Sequence, residues 1–218
     1  MKDIHATIIV DLKGKTKEDL FSAINKSKRK HVKKAKKEGL KFESDLNEED
    51  IRKTYQIYSL IWEKGGAVPI SYAEWKNKVK NPDYFFRIAK INDKVIGFSL
   101  MKKLDRSFYK KSNFGSEKGV RFYAIAGSPE FHDLQVNDFL YWETINFALD
   151  QGLDFVDLGG YQLKARGHLR GVNEFKSQWG GKKIHFYKDY SIFRAVGRKL
   201  IRNFSLFWWL NNKIKRRK

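Results

Sequence analysis

The 218-residue chain contains no cysteine. That excludes disulfides, thiol nucleophiles and metal sites built on thiolates. Its five histidines (His5, His31, His132, His168 and His185) show none of the paired spacings of metal ligands, so no metal is expected. No convincing Ser-His-Asp set for nucleophilic catalysis is present either. No segment approaches the ~18 consecutive apolar residues that a membrane-spanning helix requires. The opening MKDIHATIIVDLKGK holds too short an apolar run for a signal peptide. A soluble, cytoplasmic protein is therefore expected, unless its surface holds it to a membrane. Acidic residues are also scarce: 25 Asp and Glu face 45 Lys and Arg, a formal net charge of +20.

With 41% hydrophobic and 15% aromatic residues, the chain has material for a real core, and its length suits one large domain. The positive charge is concentrated. Residues 26–37 (KSKRKHVKKAKK) hold eight Lys or Arg, residues 194–218 hold nine, and neither run contains an acid. Those 17 cations supply most of the net charge. One such run reads as a solvated helix face; two point to a polyanion or an anionic surface. The second run interleaves its cations with Val196, Leu200, Ile201, Phe204, Phe207, Trp208, Trp209 and Leu210. That block is too short to span a bilayer. It suits either lying in a headgroup interface or docking as a helix on the fold.

Periodicity assigns the elements. IHATIIVDL is a β-branched strand. Thr16, followed by Glu18 and Asp19, opens a helix whose apolar positions Leu20, Phe21, Ile24, Val32 and Ala35 run through the basic segment to a stop at Gly39. LKFESD is a short strand. Asn47, with Asp50 three residues on, caps a helix with an apolar face of Ile51, Tyr55, Tyr58, Ile61 and Trp62. A shorter helix covers residues 72–79. YFFRIAKIN and KVIGFSLMKKLD form a hairpin about Asn92-Asp93. SFYKKSNFGSEKG is a polar loop and VRFYAIAGSP the next strand. QVNDFLYWETINFALDQG is a helix apolar nearly all round, hence deeply packed. FVDLGG is a short buried strand, YQLKARGHLRG a basic loop, GVNEFKSQWGG a helix and KIHFYKDYSIF a closing strand. This order fits several mixed α/β plans, an N-acetyltransferase-like one among them.

Three stretches, in order, carry a resemblance: Arg29 to Gly39, Trp142 to Gly160 and Phe175 to Gly181; together they resemble the Fem family of aminoacyl-tRNA-dependent transferases, which add amino acids to peptidoglycan precursors. Arg29-x-x-Val32-x-x-Ala35-x-x-x-Gly39 is similar to the family's basic helix. WETINFALDQGLDFVDLGG, from Trp142 to Gly160, resembles its packed helix and the strand ending in D-L-G-G. Phe175-Lys176-Ser177-Gln178-Trp179-Gly180-Gly181 resembles its F-K-x-x-F-G-G. The likeness runs from about residue 16 to residue 193 and covers the second of the two N-acetyltransferase-like units of a full-length member. It implies an α/β (α+β) chain of GNAT-like (N-acetyltransferase-like) fold, with a mixed, mainly antiparallel sheet flanked by helices. Residues 1–193 would form the acyltransferase domain; the composition of 194–218 makes them a basic amphipathic C-terminal tail, expected as a basic C-terminal helix. It also implies that a partner chain or a second copy supplies the missing half.

Amide formation from an activated ester needs no enzyme nucleophile; it needs two substrates positioned and one oxyanion stabilised. The resemblance makes Lys176 the first catalytic candidate, contacting donor phosphate or the tetrahedral intermediate; by itself it reads as an exposed helix lysine. Asp157, at a strand end, is placed to orient an amine or accept its proton, or else to satisfy turn amides. Phe175 and Trp179, at i and i+4, are either an adenine platform or core. Gly159 and Gly160 fit a close backbone approach to substrate or a tight turn. Arg166 and Arg170, in the loop beside His168, suit phosphates, as do Arg29 and Lys33 of the basic helix. Between Ser128 and Gly152 there is no glycine, so the glycine-rich pyrophosphate loop of acetyl-CoA enzymes is missing.

The expected function is transfer of an amino acid from aminoacyl-tRNA to an amine of a lipid-linked, anionic cell-wall precursor peptide, with no cofactor. The expected partners are tRNA, that precursor and the inner membrane surface, with the protein peripheral at the inner face of the cell membrane. Two alternatives stand beside it: an N-acyltransferase of the same fold using an acyl-CoA donor, and a non-enzymatic RNA-binding module that tracks phosphates.

Overall fold

The computed structural model describes residues 2–104 and 118–189. Among them, seven strands form one sheet: β1 Lys2–Asp11, β2 Lys41–Glu43, β3 Tyr84–Ile91, β4 Lys94–Leu104, β5 Gly119–Gly127, β6 Phe155–Tyr161 and β7 Lys182–Asp189. Six α-helices accompany them: α1 Lys17–Ala23, α2 Lys26–Lys37, α3 Glu48–Lys64, α4 Tyr72–Lys80, α5 Val136–Asp150 and α6 His168–Ser177. The strand order is β2-β3-β4-β5-β6-β1-β7. Every neighbouring pair is antiparallel except β5 and β6. No helix among the described residues is long and apolar enough to cross a membrane. The basic tail 194–218 and most of the polar loop 107–119 lie outside the described residues.

The apolar pattern explains the layers. On one face, α5 buries Phe139, Leu140, Tyr141, Trp142 and Ile145 against β4, β5 and β6, with α1, α2 and α6 beside it. On the other face, α3 and α4 cover β3, β4 and the far half of β5 through Tyr58, Trp75, Phe86 and Phe98. Trp75 is fully buried, 4.6 Å from the Tyr58 ring and 5.0 Å from that of Phe98. Such edge and stacked contacts add about 0.5–1.5 kcal/mol each beyond area burial. Asn92 and Asp93 both adopt positive φ, as a two-residue hairpin turn requires.

Two expectations need correction. The helix from Thr16 to Gly39 is two helices, because Ile24 is extended and Asn25 caps α2 by accepting from the Ser27 amide. Thr16 and Asp19 form a reciprocal capping box on α1. The basic loop 161–171 also ends earlier than expected: α6 begins at His168, so Arg170 sits in its first turn. A 3₁₀ helix over Pro129–Leu134 fills the connection from β5 to α5, which periodicity did not foresee.

Candidate active site

The parallel pair β5–β6 is where the sheet opens. Its register runs Gly119↔Phe155, Val120↔Val156, Arg121↔Asp157 and stops there. Beyond that point β5 stays with β4 as far as Gly127↔Gly97, and β6 stays with β1 as far as Tyr161↔Ala6. Both strands bulge just past the last shared pair. Tyr123 is the extra residue opposite Leu100/Met101, and β6 is irregular opposite Thr7/Ile9. A bulge bends its strand and increases local twist, so two of them side by side turn the strands apart. Gly159, in the second bulge, has φ +83, a conformation that any side chain would strain.

Lys176 occupies this fork. It projects from α6, and its ammonium donates to the Gly160 carbonyl at 3.0 Å. A Cβ on Gly159 would sit 3.4 Å from Lys176 Nζ and 3.6 Å from the Phe122 carbonyl oxygen, ordinary contact distances, so the lysine lies against this glycine and it is the positive φ that requires it. Burial pushes this ammonium down from 10.5 to about 8; the Asp157 charge resists that shift and the Arg121 charge adds to it. Half-buried, touching backbone and drawn toward neutrality, Lys176 is unlike an ordinary helix-surface lysine. The helix that carries it is fixed at its middle and just beyond its C-terminus. Asn173 bonds both backbone groups of Gln162, and Gly181 packs so close to β1 that a Cβ there would meet Ile8 at 2.6 Å.

Of the two readings of Asp157, the structure carries the one in which it satisfies a turn amide. It is completely buried, takes hydrogen bonds from the Thr7 hydroxyl and the Gly159 amide (2.7 Å), and pairs with Arg121 Nε at 3.4 Å. A carboxylate so enclosed does not meet an incoming amine. It fixes the Gly159 bulge, and its charge raises the proton affinity of Lys176. Thr7 and Arg121 were not singled out from the sequence. The signal was there in Arg121, a charge inside the apolar run VRFYAIAG.

The aromatic pair divides. Trp179 is fully buried, stacks on Tyr141 at 5.3 Å between centroids and offers no face to a base, so it belongs to the core. Phe175 is only part-buried, with Lys28 Nζ 4.1 Å from its ring centroid. It lines a cavity of ≈ 320 Å³ against the start of α5, with Lys28, Gly127, His132, Gln135 and Asp138. Gly160 is exposed, with open space around it. Arg166 is exposed in the turn before α6, and Arg170 points into solvent, paired with Glu174 at 2.9 Å.

The basic helix is less available than its charge suggests. Lys28 is buried and pairs with Asp138 of α5 at 2.9 Å, where His31 Nδ1 also bonds at 2.5 Å. Burial, reinforced by the Asp138 charge, pushes the neighbouring Tyr141 phenol well above its ordinary range. Arg29 turns back to α1, donating to the Ser22 and Ile24 carbonyls at 2.8 and 2.6 Å, which cap the broken helix. That guanidinium is committed to the fold, a correction to its phosphate-binding assignment. Lys34 donates to the Asp133 carbonyl and Lys36 pairs with Glu143. Lys33 is exposed, 5.9 Å from the Phe21 ring centroid, and Lys26, Lys30 and Lys37 face solvent. Among the described residues, no group of three or more His, Asp or Glu side chains could hold a metal ion.

No family model matches the sequence, and no curated protein matches it significantly. Solved structures do. FemX superposes with a TM-score of 0.65 at 15% identity, over 84% of this chain and 61% of its own. The C-terminal domain of a putative lysylphosphatidylglycerol synthetase from Agrobacterium fabrum gives 0.56 at 14% identity, over 85% of this chain and 60% of its own. A GCN5-related glucosamine N-acetyltransferase region of a fungal multi-domain GH3 β-N-acetylglucosaminidase gives 0.53 at 15% identity, over 85% of this chain and 20% of that one. The fold is N-acetyltransferase-like. The chain spans about three fifths of the first two structures it resembles.

Proposed function

We propose that the protein is an acyltransferase that moves an amino acid from aminoacyl-tRNA to an amine of a lipid-linked cell-wall precursor peptide. The observation that carries this reading is Lys176: a cation with a lowered proton affinity, held in the fork of an acyltransferase-type sheet with its ammonium on the Gly160 carbonyl. In the reaction, the acceptor nitrogen attacks the ester carbonyl carbon. The negative charge that develops on its oxygen meets the Lys176 ammonium. The C–O bond to the tRNA ribose then breaks, the amide forms, and the proton lost by the amine passes to the departing ribose oxygen. At neutral pH a group titrating near 8 is mostly protonated, so the ammonium is present when that charge appears.

The ≈ 320 Å³ cavity bounded by Phe175 and Lys28 is the proposed seat for the donor end, and Phe175 alone remains the candidate stacking surface. Peripheral attachment at the inner membrane surface rests on the cationic, aromatic tail. The test is direct: purified protein, charged tRNA and lipid-linked precursor, with transfer read by mass spectrometry. A parallel arm with acetyl-CoA covers the other donor. Acetyl transfer accompanied by micromolar CoA binding would overturn the tRNA reading.

A further inference from the structure

A second cavity, of ≈ 470 Å³, lies between α5 and the β2–β3 edge and shares no lining residue with the Phe175 cavity. Asn146 of α5 lines it. Only 8% of this residue is exposed, and its amide oxygen is buried without a hydrogen-bond partner. An unpaired polar atom at such depth is costly, and native structures satisfy most of them. A half-turn of the amide exchanges acceptor and donor, so Asn146 can present either to the cavity.

Arg87 of β3 lines the same space. Its guanidinium lies 4.1 Å from the Phe147 ring centroid and donates from Nη1 to the Phe86 carbonyl at 2.8 Å. It has five N–H donors and, among the described residues, no ion pair. Burial lowers its proton affinity and the Asp45 charge opposes that loss. The other charged groups around the cavity are largely satisfied. Lys17 pairs with Asp150 at 2.7 Å, Lys36 Nζ stands 2.7 Å from Glu143 Oε1 as an ion pair without hydrogen-bond geometry, and Glu43 leans toward Lys90 at 3.8 Å. That leaves Arg87 and Asp45, two opposite charges near enough to feel each other and not joined.

Such a pair is complementary to a small molecule that carries both charges. An arginine fork takes a carboxylate bidentately, and a free carboxylate takes an ammonium. Phe42 and Phe147 give an apolar wall for a side chain. Four acids against three cations in the lining disfavour a phosphate-bearing ligand. We propose that this cavity binds a free α-amino acid, its carboxylate on Arg87, its ammonium toward Asp45, and the Asn146 amide bonded to one of the two. The inference does not depend on the transferase reading.

The test is calorimetry and thermal unfolding of the full chain with the proteinogenic L-amino acids at millimolar concentration, without tRNA or precursor. Each amino acid that binds is compared with its decarboxylated amine and its deaminated acid, and inorganic phosphate serves as a further probe. At least one amino acid should bind saturably and raise Tm by mass action. Removing either charged group should weaken binding about tenfold or more, as should Arg87→Gln and Asn146→Ala. If Arg87→Gln does not fold, Asp45→Asn on the exposed rim takes its place, with the same expected loss. The proposal is overturned if no amino acid binds, if either singly charged analogue binds as well, if phosphate binds in preference, or if the variants keep full affinity. Because no transfer is measured, this result is separate from the fate of the transferase reading.

Discussion

At the residue scale, Lys176 and Asp157 stand at different depths of the proposed site. Lys176 faces the fork, and Asp157 is sealed beneath it by Thr7, Arg121 and the Gly159 amide. If the ammonium stabilises charge that appears only during attack, Lys176→Ala should lower turnover by about 10²–10³ with far less effect on donor affinity. Lys176→Arg keeps the charge but changes its shape, so single-turnover rates should recover only in part. The wild-type advantage over Lys176→Ala should also fall as pH rises through about 8, where the ammonium is lost. A wild-type advantage that grew through that range would mean that neutral Lys176 takes the proton of the amine instead. Asp157 acts through the same group. Its charge raises the Lys176 pKa, so Asp157→Asn should move the alkaline limb of the rate profile to lower pH. A merely structural aspartate would lower Tm and leave that limb in place.

At the element scale, α2 shows why counting charges overstates a binding surface. Lys28 and Arg29 hold the helix in place, while Lys26, Lys30, Lys33 and Lys37 face outward. Reversing those four to Glu should weaken tRNA binding and flatten its salt dependence by roughly 0.7–0.9 in log–log slope for each phosphate no longer neutralised. Tm should barely move. Lys28→Ala should lower Tm instead: losing one partner of a buried pair costs on the order of 3 kcal/mol. At this size that lowers Tm by roughly 2–4 °C per kcal/mol. Asn25→Ala removes the cap that restarts the chain as α2 and should cost ~1 kcal/mol in denaturant unfolding. Equal tRNA affinity in the quadruple variant would return the outer face to plain solvation.

At the scale of the whole molecule, the fork is a stability cost. The Lys176 pKa is lower in the fold than in the unfolded chain, from 10.5 to about 8. Below about 8 both states hold the proton, and the folded state bears the full cost of a half-buried cation. Between about 8 and 10.5 the unfolded chain binds more protons than the folded one, so this group makes stability rise with pH across that window. Lys176→Met should therefore be more stable than wild type at neutral pH, with the difference shrinking above pH 8. Denaturant midpoints measured on both proteins across the window check this. A variant less stable than wild type at pH 7 would mean that the Gly160 hydrogen bond outweighs the desolvation.

Local pattern made much of the fold legible, because burial at period 2 or 3.6 and a capping side chain are properties of neighbours in sequence. β1, α3, α4, the Asn92-Asp93 hairpin and the deeply packed α5 were readable in that way; Lys176 was not, since local pattern reads it as an exposed helix lysine and only the family resemblance singled it out. Other features depend on residues far apart in the chain. The break at Ile24–Asn25 is held by an arginine that looks like part of a phosphate-binding helix. Trp179 reads as a possible platform until Tyr141 and the sheet close over it. The fork itself arises because bulges in β5 and β6, strands separated by α5, come to lie side by side. No local signal encodes that register, and only the assembled sheet supplies the gap in which Lys176 stands.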